Sequence, residues 1–355
     1  MSSNIKIAFA VVFCILLAAC ESLQYYGQAV NGQFYIFSHR KPIADLLQDS
    51  ATSPALKARL ESINRIRAFA ANRLHLPLGN QYSTYVDLER PYVVWNVFAA
   101  PEFSMQPLSW CYPVAGCASY RGYFNEGKAN EFAASLEQEG YEIFVGGVAA
   151  YSTLGWFSDS VLNTIVNRAE YELAGLIFHE LAHQVVYIPG ETEFNESFAT
   201  TVQLEGLQRW LEANDAAPEV REEIAAEITL DLMRQKQFTA LVQAAVSDLK
   251  ILYAGPLAEV EKRLEKNQRI TRLRDDYALL KNEWHGYGGY DAWFARDLNN
   301  AQLATVATYN SLVPAFNAML SQANGDLDLF YQNVMQLKRL TPEERQQKLQ
   351  MLMAP

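Results

Sequence analysis

The sequence predicts an α+β fold, mainly helical, in which a small sheet packs on one buried helix and helical C-terminal elements close over it. Three observations lead there. Leu56, Leu60, Ile63, Ile66 and Phe69 recur at spacings of three and four, the period of an amphipathic helix. The stretches 82–88, 92–99 and 141–151 are aromatic and β-branched, as strands are, and turn residues such as Gly79-Asn80 and Pro101 flank them. From residue 192 to the C-terminus almost everything has helical periodicity. Half of the 355 residues are hydrophobic and 19% charged, so a core can be buried and wholesale disorder is excluded.

The first residues are for targeting. Lys6 precedes an apolar run, Ile7 to Leu17, too short to span a bilayer but of the length of a signal-peptide core. The run ends in Leu17-Ala18-Ala19-Cys20, which resembles a bacterial lipobox. Cleavage before Cys20 would leave that cysteine to carry lipid; an ordinary signal peptide with an incidental cysteine is the alternative. Glu21 follows where an inner-membrane retention signal would have Asp, which favours the outer membrane. The expected division is a signal peptide at 1–19, a lipidated tether at 20–40 and one domain at 41–355. Within that domain 41–190 is an α/β part and 191–355 a helical part.

Within the domain, residues 43–75 read as helix, with Pro54 at a second start. Strands at 82–88 and 92–99 follow, then a cysteine pair. Cys14 leaves with the signal and Cys20 takes lipid, so Cys111 and Cys117 remain; in an oxidising periplasm they read as a disulfide closing a short loop around Pro113 and Gly116. Two buried thiols or half a metal site are the rivals. Residues 126–139 read as a helix and 141–151 as a strand through Gly146-Gly147. Breaks at Pro218, Gly255-Pro256, the glycines of 286–289 and Pro314 divide the helical part. The charge-rich stretch 259–276 reads as the solvated face of a long helix.

Chemistry concentrates at His179-Glu180-Leu181-Ala182-His183. Two histidines four apart on a helix share a face, so both imidazoles can reach a single Zn²⁺. Glu180 beside them has the position of a general base and acid that takes a proton from an attacking water and hands it to a leaving amine. The preceding Leu173, Ala174, Leu176, Ile177 and Phe178 make the helix a buried one, where polar groups need partners.

A catalytic zinc takes three protein ligands and keeps one position open. A metzincin would have histidine where Pro189 stands, which excludes that class. Asn195-Glu196-Ser197-Phe198-Ala199-Thr200 resembles the Asn-Glu motif of gluzincins, the thermolysin-like zincins. The resemblance makes Glu196 the third ligand, with Glu191 and Glu193 as competitors. The sequence departs from thermolysin in two ways: only twelve residues separate His183 from Glu196, and Thr200 replaces the aspartate that supports a ligand histidine. A threonine hydroxyl there could still accept a ring N–H.

A wider resemblance covers nearly the whole mature chain. The segments Trp110 to Cys117, Tyr120 to Phe124, Ala150 to Asp159, Leu298 to Ala301 and Ala307 to Phe316, together with the lipobox, are similar to a bacterial lipoprotein family of predicted zinc aminopeptidases. The resemblance implies peptide-bond hydrolysis on a peptide substrate with one Zn²⁺ per chain. The strand Val145 to Ser152 is a candidate edge for extended substrate. Tyr309, Tyr287 and His285 are candidate donors to the reaction's oxyanion, Tyr309 foremost. Glu170, Glu172 or Glu142 could grip a substrate ammonium. His39 and His75 have no assigned role.

With 29 Lys and Arg against 40 Asp and Glu, the net charge of −11 argues against a nucleic acid partner. The membrane is the expected partner, through the N-terminal lipid. The oligomeric state is left open. The alternative function is a periplasmic binding or scaffolding lipoprotein with a structural or inactive zinc site, against which the retained Glu180 speaks, since a structural site needs no base.

Overall fold

A computed structural model describes residues 24–112, 116–150, 157–213, 217–306 and 311–353. The signal sequence, Cys20, the end of the 145–152 stretch and Tyr309 lie outside them. The described chain is mainly helical with three small sheets, an α+β arrangement.

Residues 24–38, expected as tether, form a helix (α1) that docks on the domain. Gln28 and Ile36 are buried, and Gly32 between them meets Phe124 so closely that an added Cβ would lie 2.1 Å from its ring. Gln28 completes the dock: its side chain accepts from Phe124 N at 2.9 Å. The period of four in these contacts is what makes the segment helical.

Strand β1 (Lys41–Pro42) leads into α2 (Ile43–Gln48) and α3 (Pro54–Arg73). Ser53 caps α3 by accepting from Leu56 N, and Pro54 occupies its first turn, as that residue pair favours. Within the expected strand 82–88 only β2 (Thr84–Val86) is paired. Tyr82 before it has φ of 56°, off the extended conformation, and its N–H donates to Asp159 O.

The larger sheet has the order β6-β3-β7 and is antiparallel throughout, from β3 (Val94–Pro101), β6 (Arg121–Tyr123) and β7 (Tyr141–Val148). Helix α4 (Glu126–Gln138) covers one face, burying Ala129, Ala133 and Leu136 against Trp95, Val97 and Ala99. Between β3 and β6 a hairpin of β4 (Trp110–Tyr112) and β5 (Gly116–Ala118) carries the Cys111–Cys117 disulfide, as expected from the two remaining cysteines.

β7 is an edge strand, and two side chains of the helical part bond to it. Arg296 donates to Val145 O at 2.9 Å and Asn299 to Ile143 O at 2.9 Å. Arg296 thus takes one carbonyl at the start of the 145–152 stretch expected to receive substrate, and Asn299 takes one just before it.

β8 (Val161–Leu162) joins β1 and β2 in a second sheet and runs directly into α5 (Asn163–Val166). The main core is then built on α6 (Glu170–Val185) and α7 (Thr192–Ala213). Leu173, Phe178 and Leu181 of α6 and Phe198 of α7 are wholly buried. Gly206 of α7 lets the two helices approach: a Cβ there would lie 2.7 Å from Phe178. Helix α8 (Pro218–Ala254) begins and ends at the breaks foreseen at Pro218 and Gly255, and pairs with α9 (Glu259–Glu283) around a core of its own that includes Val242, Leu249 and Leu273. Short helices α10 (Asp291–Phe294) and α11 (Asn300–Leu303) follow. Helices α12 (Val313–Gln322), α13 (Leu327–Lys338) and α14 (Pro342–Met353) return to the main core, where Phe316 and Phe330 pack on Phe198. Among the described residues no helix is long and apolar enough to cross a membrane.

Candidate metal centre

Helix α6 starts at a tight box in which Ala169 N donates to Glu172 Oε2 at 3.0 Å, and it carries a hydrophobic stripe into the core. That stripe fixes the helix's rotation and turns His179 and His183, four residues apart, to one side; their rings lie 4.9 Å apart at 84°. The loop 186–191 reverses the chain through Gly190 at φ of 82°. Asn195 then clamps that loop to the first turn of α7: its side chain accepts from Ile188 N and donates to Ile188 O, both at 2.8 Å, and the residue is 1% exposed. The clamp sets the position of the next residue, Glu196.

Glu196 faces both histidines. His179 Nε2 lies 3.2 Å from Glu196 Oε2, and His183 Nε2 lies 3.7 Å from Glu196 Oε1. One ligand atom from each of the three residues lies within 4.8 Å of the others, and they form a group able to hold a metal ion. The competitors are engaged elsewhere. Arg345 donates to both Glu191 oxygens, at 2.6 and 2.8 Å, and Ser311 donates to Glu193.

The acceptor beside His179 Nδ1 is Gln203 Oε1 at 3.2 Å. Sequence reasoning, which looked to Thr200 for such a support, did not include Gln203. Gln203 is seven residues after Glu196, two helical turns along the same face, and that spacing was the signal available in the sequence.

Burial and charge divide the two histidines. Burial pushes His183 down to about 4, and the neighbouring His179 charge adds to the effect. Burial works against a charged His179 too, but the Glu196 hydrogen bond and the charges of Glu180 and Glu196 outweigh it and raise that imidazole. Burial alone would raise Glu196; its bond to His179 and the charges of both histidines hold the carboxyl below the usual range.

Glu180 and His179 line a cavity of about 480 Å³ whose far wall comes from α8 and the 286–290 turn. Tyr287, an expected oxyanion donor, is in that wall, with the Arg234 guanidinium 4.0 Å over its ring. Glu172 and Asp231 face the same space. Of the other acids foreseen for an ammonium, Glu142 is held by Lys266 and by Asn300 N, and Glu170 by Arg65. The Glu142 pair is the binding one, since Lys266 is only 4% exposed and needs its carboxylate, whereas the Arg65–Glu170 pair is exposed. Buried Tyr82, which sequence reasoning missed, lies close enough to Glu180 for that carboxylate, after burial, to help raise its phenol.

A family model described as "Putative aminopeptidase" matches residues 24–349. The chain belongs to that family. No curated protein and no solved structure matches the chain. The family's name accords with a peptidase and with a peptide substrate.

Proposed function

We propose that this member of the family is a zinc-dependent metallopeptidase of gluzincin type with a zincin-like fold, acting as an aminopeptidase. The observation that carries the reading is the convergence of His179, His183 and Glu196, with His179 and the adjacent Glu180 lining one cavity. The donor set suits zinc: two imidazoles and one carboxylate are the ligands of a hydrolytic site with an open position. His183 adds a physical test. Among the described residues its Nδ1 is buried without a hydrogen-bond partner, and its Nε2 is beyond hydrogen-bond reach of Glu196, a costly state for a buried imidazole. A cation between Nε2 and the carboxylate would give Nε2 the partner it lacks.

When bound, Zn²⁺ supplies Lewis-acid polarisation of the peptide carbonyl and makes water a better nucleophile. His183, neutral well below pH 7, presents its lone pair without first losing a proton. Gln203 accepts the Nδ1 proton of His179 and so leaves Nε2 as the ligand atom. Glu180 takes the proton of the attacking water and delivers it to the departing amine, so that the carboxylate is restored at the end of the cycle. Tyr287 in the opposite wall is a candidate donor to the oxyanion, as is Tyr309, and Glu172, or Asp231 beside its partner Arg234, is a candidate to meet a substrate ammonium.

The chain is further proposed to be a lipoprotein, acylated at Cys20 and facing the periplasm from the outer membrane. Cys20→Ser would then leave it without acyl groups by mass spectrometry; normal acylation of that variant would remove the lipobox.

Mass-spectrometric mapping of peptide-library cleavage, with and without chelator and with Glu180→Gln as control, tests the enzymatic reading. Chelator-sensitive loss of single N-terminal residues supports an aminopeptidase. Absence of cleavage by folded, zinc-loaded protein would favour a binding lipoprotein.

A further inference from the structure

Helix α1 carries two stripes, each with a period of four. Gln28, Gly32 and Ile36 face the domain, as described above. Tyr26, Val30 and Phe34 are offset from them by two residues, about 200° around the helix, and so point the opposite way. They are 43%, 68% and 65% exposed. Around them Gln24, Gly27, Asn31, Tyr35 and Ser38 are also exposed, and no residue from 24 to 38 carries a charge. In a chain of net charge −11 this is an uncharged, aromatic-rich surface with His39, Arg40 and Lys41 at its end.

We infer that the outer face of α1 is a membrane-surface contact: the helix lies in the interfacial layer of the bilayer, with Tyr26, Val30 and Phe34 among the lipids. Three observations select lipid as the occupant. The residues before α1 include the apolar run Ile7 to Leu17 and the lipobox-like ending at Cys20. Tyr26 is six residues beyond Cys20, a length that spans at most about 20 Å even when fully extended, so an acyl anchor at Cys20 keeps the helix at the bilayer surface. Tyrosine side chains suit the headgroup level, and an uncharged face carries little desolvation cost there. The inner stripe holds α1 to the domain, so contact along the outer stripe would fix how the whole domain sits on the membrane, which one flexible lipid tail cannot do.

The inference uses the lipidation of Cys20 for its geometry, and the test separates the two. Full-length protein is reconstituted in phosphatidylethanolamine–phosphatidylglycerol vesicles, with single nitroxide labels introduced by Tyr26→Cys, Val30→Cys, Phe34→Cys and, as reference, Glu283→Cys at the end of α9. Acylation is read independently by mass spectrometry. The expected result is that labels at 26, 30 and 34 collide with oxygen at least several-fold more than with a water-soluble nickel complex, while the label at 283 shows the reverse. Water-like collision at all three α1 positions overturns the inference whether or not Cys20 is acylated, and so does equal immersion at 283. In a Val30→Ser, Phe34→Ser variant the label at 26 should move to water; since both side chains are exposed, its circular dichroism should match wild type. Immersion at 26 persisting in that folded variant would show that the stripe is not the contact.

Discussion

His179 Nε2 and Glu196 Oε2 meet at 3.2 Å across the α6–α7 pair, although sixteen residues and a chain reversal separate them. The pairing brings a carboxylate to two imidazoles that the periodicity of one helix had already aligned. It also joins the candidate metal site to the packing that brings α6 and α7 together, so the geometry of those three residues depends on core residues such as Gly206.

Glu180→Gln should retain zinc and fold normally while kcat falls by about 10² to 10⁴, the range that a lost general base commonly costs. Zinc content by atomic emission and steady-state peptide hydrolysis check this together. Activity equal to wild type would remove Glu180 from the mechanism.

Glu196→Ala should lower zinc occupancy sharply, whereas Glu191→Ala should not. Instead, Glu191→Ala should lower stability by roughly 2–3 kcal/mol, because Arg345 loses two charged hydrogen bonds in a buried position. Urea unfolding and metal analysis of both variants separate the roles; full zinc in Glu196→Ala would shift the ligand to another acid.

Zinc binding should release a proton. His183 is pushed down to about 4 and Glu196 is held low, so neither carries a proton at pH 6.5, but the raised His179 does. Release should therefore approach one proton at acidic pH, vanish as pH rises through the His179 pKa, and affinity should weaken as pH falls through it. Calorimetric titration in buffers of different ionisation heat measures the count. Two protons released at pH 6.5 would contradict the assignment of the histidines.

Cys111→Ser should expose one reactive thiol, at Cys117, in protein made in the periplasm, and should lower stability by about 2 kcal/mol, the loop-closure value for so short a separation. Thiol titration under denaturing conditions and a thermal melt give both readings. An unchanged thiol count would end the disulfide assignment.

What could be read in the sequence was local. The i, i+4 histidines, the helix starts at Pro54 and Pro218, the covering helix at 126–138 and the cysteine pair each depend on residues close together in the chain, where period and capping chemistry decide the outcome. Strand limits were less legible. Tyr82 belongs by composition to a strand, yet its backbone lies off the extended region and its N–H pairs with Asp159. Residues 24–38 read as tether because the contact that orders them, Gly32 on Phe124, is made across a long sequence separation.

The sequence by itself determined the helix that carries His179, Glu180 and His183, since a repeat of 3.6 residues aligns them whatever lies around it. Only the tertiary structure decided which of three neighbouring glutamates turns to those histidines. Arg345 and Ser311, far along the chain, engage Glu191 and Glu193, and the Asn195 clamp on Ile188 sets Glu196 in place. Such choices depend on charges and packed surfaces that meet only after folding, and a pattern of neighbouring residues does not encode them.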